Sequence, residues 1–178
     1  MFNQAVYEED LLTDVSSNVV LHCSCNSAID SSPWPKPITQ VGGAFDTGVK
    51  KFGTASFRNN NSTSQYLNLN AQDTTHFWFT GDFLISFWLY LLAGISGTPM
   101  QFLGPWKSPD YCWRITKHND SDMRLFAQNT SNASVVAVGG NVDPLVLNQW
   151  ANYTFSRKNG VHRLWKGSVL LAEDSTPL

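Results

Sequence analysis

The chain has 178 residues, a formal net charge of −2, 15% charged residues and 13% aromatic residues, with seven Trp and eleven Phe. That length suits about one domain with a proper core, and an aromatic-rich, charge-poor balance argues for a β protein over a helical one, which would carry more Ala, Glu and Lys. Lys and Arg are scattered singly, which leaves no electrostatic footprint for a phosphate backbone and argues against nucleic acid as a partner.

The N-terminus, MFNQAVYEEDLL, has neither a basic segment nor a long apolar one, so it does not read as a secretory signal and points to synthesis and folding in a cytoplasm. Residues 1–17, with the acidic Glu8-Glu9-Asp10 cluster, read as an arm ahead of a folded domain spanning 18–178. The first predicted strand, 19–25, places Cys23 and Cys25 on one face as small hydrophobes. With Cys112 standing alone, the odd count gives no disulfide framework. A metal site from His22, Cys23, Cys25 and Cys112 lacks the second Cys-x-x-Cys or His pair that zinc sites carry.

Further strands are predicted at 38–45, 54–58, 64–69, 82–92, 99–103, 111–117, 123–128, 133–138, 149–158, 161–166 and 168–172, separated by turn signals such as VGG, TGVKKFG, SGTP, HNDSD and RKNG. The segment TGDFLISFWLYLL at 80–92 is apolar on both phases: Phe83, Ile85, Phe87 and Leu89 on one, Leu84, Trp88, Tyr90 and Leu92 on the other. It is too short for a membrane span, which needs about 20 apolar residues, so no membrane insertion is expected. It reads instead as a central strand covered on both faces, with Phe83, Ile85, Phe87 and Leu89 in the core. Two hairpins follow, one around 118–122 and one at Asn159-Gly160, the strongest short-range hairpin signal. Regular strand spacing with a doubly buried central strand describes an all-β fold of two packed antiparallel sheets.

Four motifs in order then carry a resemblance. They are SSNVVLHCS at 16–24 with the turn that Asp30 opens and SSPWPKPIT at 31–39 completes; KKFGTASF at 50–57 with SQYLNL after it; FTGDFLISFWLYL at 79–91; and NQWANYTFSRKNGVHRLWKGSVL at 148–170. Together they resemble the concanavalin A-like, laminin-G-like jelly-roll domains of the type found in bacteriophage virion proteins, over roughly residues 16–172. The resemblance implies a two-sheet jelly-roll sandwich on the virion surface, as a capsid decoration or knob protein or a fibre head. Its partners would be other virion proteins or copies of itself, and host surface glycans. A free carbohydrate-binding lectin module is the alternative, and a glucanase-like enzyme the third. The chain departs from the pattern at His22, which is followed by Cys23-Ser24-Cys25 where relatives often have Asp-Gly. It also stops at Leu178, where the family pattern continues, so an open edge beside 19–25 is expected, filled by the arm, a neighbouring chain or further polypeptide.

The glucanase form of this fold resembles Glu-x-Asp-x-x-Glu on one strand, and no such string occurs; the three Glu are Glu8, Glu9 and Glu173. Glycoside hydrolysis needs two facing carboxylates, and GISG at 94–97 is not a nucleophile elbow, so no catalytic residue is assigned. No cofactor is required. Calcium, which gathers oxygen ligands from loops, has one local candidate set in Asp110, Asp120 and Asp122, residues that tight turns also favour. Glycan binding needs an exposed aromatic plate; Trp34 and Trp106 lie in Pro-rich loops, with Tyr111 just beyond, although Trp beside proline also caps sandwich ends. Trp88, Trp113 and Trp150 fall in strand patterns and are expected in the core.

Overall fold

The computed structural model describes residues 19, 21–60, 65–69, 81–92, 100–104, 112–118, 122–128, 134–139 and 145–175, and among them every regular element is a strand. The expected boundary between arm and domain lies outside the described residues. Two compact units divide the chain, Met1–His76 and Phe77–Leu178.

In the first unit, β1 (Ile38–Val41) pairs antiparallel with β4 (Tyr66–Leu69), and β2 (Ala44–Asp46) with β3 (Ser56–Arg58). One strand was expected over 38–45. Gly42 and Gly43 break it, with φ of 53° and 63°, a region open to glycine at little cost. A Cβ at Gly43 would also stand 2.7 Å from the Phe57 ring. Phe45 and Phe57 then meet edge to face at 5.8 Å across the β2–β3 pair, a favoured aromatic geometry.

The strand expected at 19–25 is not found: residues 21–25 join no ladder, and Cys25 has φ 58°. The reason lies in Asp30, whose buried carboxylate accepts the backbone N–H groups of His22, Ser32 and Lys36 at 3.0, 2.9 and 2.9 Å, while the Ser31 N–H reaches the His22 carbonyl. These local bonds satisfy the backbone that a sheet would otherwise have engaged. Asn26 then accepts the N–H groups of Thr54 and Ala55, tying the corner to the approach to β3. The open edge expected beside 19–25 therefore has no strand to belong to.

The second unit contains two four-stranded antiparallel sheets. One has the order β12 (Val169–Asp174), β11 (Val161–Lys166), β10 (Trp150–Lys158), β5 (Phe83–Tyr90); the other has β6 (Met100–Leu103), β7 (Cys112–His118), β8 (Asp122–Gln128), β9 (Ser134–Gly139). Tyr153, Phe155 and Leu164 from the first sheet and Ile115, Met123, Leu125 and Val138 from the second share one core with Leu91 and Leu145. That is the arrangement of a β-sandwich. Each large side chain fully buried there contributes roughly 1.5–3 kcal/mol. The Asn159-Gly160 hairpin forms as expected, with Lys158 opposite Val161 and φ of 52° and 80° at the two turn residues. The other hairpin is tighter than 118–122, because His118 and Asp122 are themselves a strand pair.

The expectation for 80–92 holds on one phase and fails on the other. Phe83, Ile85, Phe87 and Leu89 pack against the core. β5 is not central: among the described residues only β10 pairs with it, so it is an edge strand. Its second phase faces outward, with Leu84 69% exposed and Trp88 39% exposed, so Trp88 is not a core residue.

Candidate functional site

Of the residues singled out for glycan binding, Trp34 is 52% exposed on the loop that Asp30 organises, and its carbonyl accepts the Lys36 Nζ–H at 3.1 Å. Trp106 and Tyr111 lie outside the described residues. So do Asp110 and Asp120, while Asp122 is placed only by its backbone, at the start of β8 opposite His118. The structure therefore does not bring the proposed aromatic plate or the proposed calcium ligands together. Among the described residues no group of three His, Cys, Asp or Glu is positioned to hold a metal ion.

The outer face of the β12-β11-β10-β5 sheet is the more developed surface. Strand alternation turns Leu84, Ser86, Trp88 and Tyr90 of β5 outward. Antiparallel register sets Ser156, Thr154, Asn152 and Trp150 of β10 directly opposite them. Beyond β10, Arg163 and Trp165 of β11 oppose Ser156 and Thr154, and Leu170 and Glu173 of β12 follow.

A polar row crosses this surface between apolar flanks. Asn152 Nδ2 and Thr154 Oγ1 each lie 3.1 Å from Ser86 Oγ. Asn152 Nδ2 also donates to the Phe87 carbonyl at 3.3 Å. On one side of the row Tyr90 and Trp150 meet edge to face at 5.4 Å. On the other, a shallow depression of about 610 Å³ is lined by Leu84, Ser156, Arg163 and Trp165 together with Asp82, Phe83, Arg157 and Lys158. Arg163 Nε donates to Glu173 Oε2 at 2.7 Å, and an Arg157 guanidinium N–H donates to the Gly81 carbonyl at 2.9 Å. The rim of the depression is thus cationic, and its floor is apolar.

This arrangement can bind without performing chemistry. An edge strand offers N–H and C=O groups to a further strand, and exposed aromatics beside a satisfied polar row suit a partner surface. The sequence signal was present in the second apolar phase of β5; reading it as a covered face concealed its role. No protein family, curated protein or solved structure matches the chain.

Proposed function

We propose that this chain is a structural attachment protein of the bacteriophage virion surface, a jelly-roll domain acting as capsid decoration or knob protein or as a fibre head. It works by docking on other virion proteins or on copies of itself rather than by catalysis. The observation that carries the docking part is the outer face of the β5 sheet, where Leu84 and Trp88 are exposed beside an edge with no second partner strand among the described residues. Exposed apolar side chains on an open edge favour association, since burying them removes apolar area from water and satisfies the edge backbone. The four ordered motifs supply the virion context.

Co-sedimentation of the full chain with virions whose genome encodes it tests this reading. The wild-type chain should pellet with the particles, and a folded Leu84→Lys, Trp88→Lys double variant should remain in the supernatant. A variant that pellets equally, or a wild-type chain that never pellets, would overturn it. A lectin reading is favoured by one observation, the exposure of Trp34 between two prolines. Glycan-array binding that falls on Trp34→Ala or Trp106→Ala would support that reading in place of the first.

A further inference from the structure

The Cys23-Ser24-Cys25 segment lies apart from the surface described above. Both thiols are free and half-buried, and their Sγ atoms stand 3.7 Å apart. Cys25 takes φ 58°, a left-handed conformation that costs a non-glycine residue roughly 1–2 kcal/mol. The bonds from Asp30 to the His22 N–H on one side and from Asn26 to Thr54 and Ala55 on the other fix the chain at both ends of the segment. The backbone is thus held so that the two sulfurs face each other. They face no third ligand, because no His, Cys, Asp or Glu completes a metal-holding group with them among the described residues.

We propose that Cys23 and Cys25 are a dithiol redox site that reacts with small-molecule disulfides and closes reversibly into a Cys23–Cys25 disulfide. The Cys23 thiolate attacks one sulfur of the incoming disulfide, forms a mixed disulfide with it and expels the other sulfur as a thiolate, which takes up a proton. Cys25 then loses its proton to solvent and attacks Cys23 Sγ, expelling the second thiol. One protein dithiol is oxidised, one small-molecule disulfide is reduced to two thiols, and no other oxidant is needed.

Cys23 suits the attacking role. The hydrogen bond from the Cys25 thiol draws its pKa down to about 6, against burial and the nearby Asp30 charge, which act the other way. Cys25 is held protonated chiefly by that same hydrogen bond, with burial and the Cys23 charge acting alongside. The sulfurs must approach from 3.7 Å to about 2.05 Å. A bridge across a single residue makes a small, strained ring, which belongs with labile disulfides rather than structural ones.

The test incubates the full chain in glutathione redox buffers of rising disulfide content, traps free thiols by alkylation and maps peptides by mass. The expected oxidised product is an internal Cys23–Cys25 link that glutathione reopens. It should form about tenfold more readily in the folded chain than in the same chain in denaturant, because the fold holds the sulfurs together. Cys25→Ser should stop at a glutathione adduct on Cys23. Separate adducts on both cysteines of the wild-type chain, a link from either to Cys112, no reaction in buffers that oxidise a control dithiol, or equal closure in the denatured chain would each overturn the proposal.

Discussion

Asp30 is a single carboxylate on which the loop from His22 to Lys36 depends. Burial alone would raise its pKa, but the backbone N–H groups of His22, Ser32 and Lys36 together outweigh that and hold it below the usual aspartate range. A depressed carboxylate stabilises the fold above its unfolded pKa of about 3.9 and ceases to do so as pH falls through its lower folded value. Asp30→Ala leaves three N–H groups without their acceptor and should cost about 2–4 kcal/mol in chemical denaturation. His162 behaves in the opposite sense. It is fully buried, neither ring nitrogen has a hydrogen-bond partner, and its ring lies 6.3 Å from that of Phe83. Burial first, and then the Arg157 charge, push its pKa down, with Asp174 opposing them. Below about pH 6.5 the unfolded chain binds a proton that the folded chain resists, so stability should fall by up to about 1.4 kcal/mol per pH unit until the folded imidazole titrates. Urea unfolding of wild type and His162→Phe between pH 7.5 and roughly 5 should show that slope in the former and a flatter profile in the latter.

Among the elements, β5 separates what can be read in a sequence from what cannot. Its composition already marks a strand, and Phe83, Ile85, Phe87 and Leu89 are legible as core residues because period-two alternation carries through the run. Which strands flank it, and whether its second face is covered, depend on long-range pairing that no local pattern encodes. The same limit explains 19–25, where β-prone residues lose to the Asp30 clamp seven or eight positions on, a bond between a side chain and a distant backbone. Turn chemistry reads well, by contrast: Gly42-Gly43 and Asn159-Gly160 interrupt strands for the steric reason their residue types suggest. The surface site was legible only as residue types, since Trp88, Trp150 and Trp165 come together through register across three strands. The two faces should respond differently to substitution. Phe155→Ala, at 0% exposure, should cost about 3–5 kcal/mol. Leu84→Thr, at 69% exposure, should stay within roughly 0.5 kcal/mol of wild type.

At the scale of the whole molecule, the second unit closes its own core between two sheets and still leaves an apolar face and a strand edge outside it. A protein that works by attachment has a use for that surplus. If the outer sheet face is the docking surface, it must become inaccessible when the chain is seated on its particle. Hydroxyl-radical footprinting of the chain, free and particle-bound, reads this residue by residue. The attachment account predicts strong protection of Leu84, Trp88 and Trp165 on the particle, with Trp34 as reactive as in the free chain; unchanged reactivity at Leu84, Trp88 and Trp165 in a demonstrably bound chain would contradict it.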